Sequence, residues 1–117
     1  MQTRLSLGKK GELCASEFLF RQGYEIIARN YRCQWGEIDI IAKQKNEISF
    51  VEVKTRRSIR FGTPAAAVTK TKQAKIHYTA WTFLREFQLQ YKHCWFDVIE
   101  IFVEKDKAKI HHIKHCF

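Results

Sequence analysis

The chain has 117 residues, 45% of them hydrophobic, which suits one packed domain (1–117) and excludes a disordered polypeptide. No apolar run approaches the roughly 20 residues of a membrane span, and the opening MQTRLSLGKKGELCASEF is broken by charge too early for a secretory signal, so a cytoplasmic protein with no membrane partner is expected. The net charge of +9 favours a polyanionic partner, nucleic acid above all.

In chain order, residues 5–22 read as an amphipathic helix with Leu7, Gly11, Cys14, Ala15, Phe18 and Leu19 on one stripe and Gly23 as the stop. YEIIARNY (24–31) reads as a strand, followed by hairpin strands near 37–43 and 47–54. RRSIRFG is a basic loop. Thr63-Pro64 is a helix start, with Thr as N-cap and Pro at the first helical position. That helix is expected to reach Phe87, with Ile76, Ala80, Phe83, Leu84 and Phe87 buried. CWFDVIEIFV (94–103) is a long strand and AKIHHI a short last one. The order αβββαββ predicts an α/β fold, a mixed β-sheet flanked by helices, because the second helix is long enough for a parallel crossover.

The hairpin GEIDIIAKQKNEISFVEVK buries Ile38, Ile40, Ala42, Val51 and Val53, yet carries Glu37, Asp39, Glu52 and Lys54. A two-residue loop at Lys45-Asn46 sets Asp39 against Glu52 and Glu37 against Lys54. Carboxylates with Cβ atoms about 5 Å apart repel unless a proton or cation lies between them. Mg²⁺ answers that need with few protein ligands, several waters and an affinity for phosphate oxygens. Lys54 points the same way and could orient a water. An exposed cross-strand ion pair would use the same residues without chemistry.

Two placements add to this cluster. Glu12 lies beside the apolar stripe of the first helix, between Gly8 and Ala15, and Gln73 continues the buried stripe of the second helix one turn back from Ile76. First-turn dipole pairing and a helix-boundary position are their plainer explanations. Between Val53 and Arg85 there is no acidic residue, while Lys54, Arg56, Arg57, Arg60, Lys70, Lys72, Lys75 and Arg85 all fall there. A one-signed stretch beside carboxylates suits a phosphate backbone drawn to the acids. The tail HHIKHC lacks the paired spacing of a zinc site, and the four cysteines suit reduced thiols.

The motifs GxxGExxA (Gly8, Gly11, Glu12, Ala15), NYR (30–32), GEIDII (36–41), FVEVKTR (50–56), FGTPAAAV with KTKQ, and FDVIEI occur in this order. The chain thereby resembles the YraN-like family of small bacterial proteins, itself similar to PD-(D/E)xK nucleases and in particular to archaeal Holliday-junction resolvases. The resemblance implies a restriction-endonuclease-like core. It makes Asp39 and Glu52 metal ligands, Lys54 the catalytic lysine, Glu12 the helix-borne acid and Gln73 a polar helper. Glu37 fits the pattern without an assigned role. The chain departs from the pattern at Trp95, where Arg often precedes FDV, and in its histidine-containing ending.

The resulting expectation is a Mg²⁺- or Mn²⁺-dependent DNA endonuclease acting on branched or structured DNA. Asp39, Glu52 and the Val53 carbonyl would hold the metal, with Arg56, Arg57, Arg60, Lys70 and Lys72 on the phosphate backbone. The alternative is a non-catalytic nucleic-acid-binding accessory protein that keeps the fold. Tyr78, Trp81 and Phe87 are candidates for a homodimer contact, as the resolvase resemblance suggests.

Overall fold

The computed structural model describes residues 6–57, 69–90, 93–105 and 107–116. Its elements are α1 (Leu7–Arg21), β1 (Glu25–Cys33), β2 (Gly36–Gln44), β3 (Glu47–Arg56), α2 (Lys70–Glu86), β4 (His93–Glu104) and β5 (Lys107–Ile113). The expected order αβββαββ is observed. The five strands form one mixed sheet in the order β1-β2-β3-β4-β5. All neighbours are antiparallel except β3 and β4, the parallel pair joined through α2.

Each helix covers one apolar layer of the sheet. Ala15 and Leu19 of α1 pack with Ile40, Ala42, Val51, Ile99 and Ile101. Ala80 and Phe83 of α2 pack with Ile38, Ile41, Ile48, Phe50 and Phe96. Fully burying a side chain such as Leu19 or Ile41 contributes about 1.5–3 kcal/mol, so these two layers supply most of the force that holds the helices down. Helix α1 is capped by the Ser6 hydroxyl, which accepts from Lys9 N at 3.2 Å. It ends at Gly23, whose φ of +95° lets Tyr24 N donate to Leu19 O at 3.0 Å.

Helix α2 begins later than the Thr63-Pro64 signal suggests. Thr69 is its N-cap, accepting from Lys72 N at 3.2 Å, while Thr63 and Pro64 lie outside the described residues, as does Arg60. Phe87 was expected inside but is 53% exposed, because it is the C-cap residue, beyond the last turn that meets the sheet. Among the described residues no helix is long and apolar enough to cross a membrane.

Candidate active site where the central strands part

The β2–β3 ladder runs from Gln44↔Glu47 to Ile40↔Val51, the register expected for a turn at Lys45-Asn46. Beyond it the strands part. β2 stays with β1 as far as Gly36, and β3 stays with β4 as far as Arg56. Asp39 and Glu52 are the next positions in register, at the opening of this fork. The Val53 N–H donates to Asp39 Oδ2 at 2.8 Å, which holds the carboxylate in the seam between the strands. Strict alternation had placed Ile38 and Ile40 on one face. Instead Ile40 packs in the α1 layer and Ile38 in the α2 layer, so the faces exchange across Asp39.

Asn30 of β1 accompanies the irregularity. Its neighbours pair as Arg29↔Ile40 and Tyr31↔Ile38, which places Asn30 beside Asp39, and its φ of +53° is left-handed. Asparagine tolerates that conformation better than most residues. With its amide turned to suit its neighbours, Asn30 Nδ2 donates to Glu12 Oε2 at 3.1 Å and to Glu37 Oε1 at 3.3 Å. Glu12, Glu37, Asp39 and Glu52 therefore converge from α1, β2 and β3. In the sequence Asn30 stands out only within NYR, because Glu25, Arg29 and Arg32 make β1 polar around it.

Burial pushes the Asp39 carboxyl up to about 6, with the charges of Glu12, Glu52 and Glu37 pushing the same way against the Val53 hydrogen bond. The surrounding glutamates each face a cation. Lys9 Nζ lies 3.4 Å from Glu12 Oε2, Arg32 Nε 3.2 Å from Glu37 Oε2, and Lys54 Nζ 3.4 Å from Glu52 Oε1. Asp39 has a neutral backbone donor instead. Its site is short of positive charge, and the oxygen donors match a hard divalent ion. Among the described residues, no group of three or more His, Cys, Asp or Glu side chains forms a ready-made metal cage.

Helix α1 reaches the fork because Gly11 lacks a side chain. A Cβ there would overlap Thr55 Oγ1, so glycine lets the helix press onto β3 and brings Glu12 to the cluster. On the other face, a cleft of about 310 Å³ is lined by Trp35, Glu37, Asp39, Glu52, Lys72 and Lys75, among others. The first turns of α2 form its basic wall, and Lys72 and Lys75 are both exposed. Lys54 adjoins Glu52 through the ion pair. Gln73 is half-buried on the first turn of α2, beside Lys72. Lys70 opens the helix, Arg57 follows β3 and is exposed, and Arg56 Nε lies 3.8 Å from the buried Glu100 Oε2.

Asp97 has an anchoring place. Its Oδ2 is 2.8 Å from His112 Nε2, and its Oδ1 accepts from His115 N at 3.0 Å. The aspartate of FDV thus ties the C-terminal segment to β4, with His115 stacked on Trp95 at 3.7 Å.

The family model described as "Uncharacterised protein family UPF0102" matches residues 11–101, from the helix-seating glycine to the end of the buried part of β4. The chain belongs to the UPF0102 family. It is 48% identical to a UPF0102 protein of Caldicellulosiruptor saccharolyticus over 115 residues, covering 95% of this chain and 96% of the relative. A UPF0102 protein of Syntrophomonas wolfei is 41% identical over 111 residues, with 95% and 96% covered. One from Rhodococcus opacus is 42% identical over 118 residues, and both chains are covered fully. The site residues of this UPF0102 chain from Glu12 to Lys75 all lie inside the matched region.

Proposed function

We propose that the protein is a metal-dependent DNA endonuclease with a restriction-endonuclease-like core, acting on branched or structured DNA. The observation that carries this reading is the placement of Asp39. It is held by Val53 N at 2.8 Å in a fork that also gathers Glu52 and its ion-paired Lys54, and it lines a cleft that Lys72 and Lys75 also line. A stabilising surface ion pair needs neither the fork nor a carboxyl raised to about 6. Carboxylates gathered to share a cation give both, because their mutual repulsion goes unrelieved until the ion binds.

Asp39, Glu52 and the Val53 carbonyl are the groups that would hold Mg²⁺ or Mn²⁺. The bound ion would supply Lewis-acid polarisation of a phosphate oxygen and a lower pKa for a coordinated water. The chain's own groups do the remaining work. Val53 N–H fixes the Asp39 carboxylate before substrate arrives. Lys54 places an ammonium beside Glu52, where it can orient the attacking water and offset negative charge gained in the transition state. Glu12, steadied by Asn30 and Lys9, keeps the Asp39 environment anionic. Lys72, Lys75, Lys70, Arg56 and Arg57 bind backbone phosphates without reading sequence.

Single-turnover cleavage by Lys54→Ala, with circular dichroism to confirm folding, tests the assignment. A loss of about 100-fold or more is expected, the scale of removing one pre-placed electrostatic group. Cleavage at the wild-type rate would remove Lys54 from the mechanism. The second reading, a non-catalytic nucleic-acid-binding accessory protein, rests on the same exposed Lys72 and Lys75 beside the cleft. Under that reading Asp39→Asn and Glu52→Gln bind DNA at least as tightly as wild type and no form cuts it. Under ours they bind and lose cutting.

A further inference from the structure

Trp35 sits in the tight turn between β1 and β2, just beyond the Cys33↔Gly36 pair. Gly36 follows it with a φ of +149°, a backbone state that favours glycine, and the turn lays the indole against α2. Its ring stands 4.9 Å from that of Tyr78, tilted by 31°. The two aromatics support each other, yet Trp35 remains 43% and Tyr78 52% exposed. A large aromatic surface left open at a cost of solvation is informative when it adjoins a charged cleft. Trp35 lines the same cleft as Asp39, Glu52, Lys72 and Lys75.

The pairing of aromatic faces with lysines has one well-matched ligand. Bases of an unpaired strand offer π-faces, and their phosphates offer charge to Lys72 and Lys75. Bases inside a duplex are already stacked and present only edges, so a protruding indole gains nothing from them. The cleft of about 310 Å³ lies at the small end of ligand pockets, fitting one nucleotide rather than a helix. We infer that Trp35, braced by Tyr78, is a stacking platform for an unpaired nucleotide, so that the site takes DNA with a single-stranded segment at the bound phosphate. This rests on the proposed nucleic-acid function and names its substrate class.

The test is fluorescence anisotropy in EDTA with a labelled single-stranded oligothymidylate, a blunt duplex, and the same duplex carrying a single-stranded flap. Wild type is compared with Trp35→Ala, Trp35→Phe and Tyr78→Ala. Wild type should bind the strand and the flap more tightly than the blunt duplex. Trp35→Ala should erase that preference by roughly 5- to 150-fold, the range for one lost base–aromatic stack, while Trp35→Phe keeps most of it. Tyr78→Ala should fall between. An unchanged preference in Trp35→Ala, an equal loss in Trp35→Phe, or no binding of any probe by wild type would overturn the platform. A parallel cleavage assay in Mg²⁺ separates the two ideas. Trp35-dependent binding without cutting sustains the platform and sinks the nuclease, and cutting of the flap that is indifferent to Trp35→Ala does the reverse.

Discussion

Replacing Asp39 with asparagine should stabilise the metal-free protein, and only above mildly acidic pH. Asparagine keeps an oxygen for the Val53 N–H but removes the charge that burial and three glutamates disfavour. The carboxyl rises from 3.8 to about 6 on folding. At 1.36 kcal/mol per pH unit, that shift costs the wild type roughly 3 kcal/mol once Asp39 is ionised in both states. Between these two values the native state holds more protons than the unfolded chain, so this contribution falls as pH rises through the window and is level above it. Urea unfolding followed by circular dichroism, in EDTA, reads the difference between mutant and wild type. The difference should grow from its floor near about pH 3 to roughly 3 kcal/mol near about pH 8. Mg²⁺ should close the gap by stabilising the wild type alone, by about 2.7 kcal/mol at 100 times its Kd. A difference that stays flat across the window would refute the electrostatic reasoning.

Other substitutions probe the scaffold around the site. Gly11→Ala should cost about 1–3 kcal/mol by overpacking, because its Cβ meets Thr55 Oγ1, and a thermal melt would show it. Asp97→Ala should leave the His115 N–H unpaired and cost about 1–3 kcal/mol, with faster amide exchange confined to the C-terminal segment and cleavage retained. Asn30→Asp replaces a donor between Glu12 and Glu37 with a fifth carboxylate, so carboxyl NMR should show Asp39 titrating at higher pH than in wild type. Lys72→Ala should weaken DNA binding and lower the slope of log K against log salt by about 1.

The fold could be read from the sequence because its signals were local. The Leu7 to Leu19 stripe, the Gly23 stop and the turn at Lys45-Asn46 each fixed one element or one register. The candidate site was read only in outline. Asp39, Glu52 and Lys54 shared a strand period, but the parting of β2 from β3 depends on the left-handed Asn30 and on a side chain that bonds across the gap. Period-two reasoning assumes an unbroken pleat, so it put Ile38 in the wrong layer. The start of α2 depends on Thr69, which accepts the Lys72 N–H and lacks the neighbouring Pro that marks Thr63, a residue outside the described ones. Trp35 and Tyr78, 43 positions apart in the sequence, could only be joined by the folded turn.

The most direct measurement is cleavage of a labelled four-way junction, with duplex and single-stranded controls, in Mg²⁺ and Mn²⁺, by wild type beside Glu52→Gln. Metal-dependent cutting is expected from the wild type and none from a folded, DNA-binding Glu52→Gln protein. Binding by both without cutting in either metal would contradict that expectation.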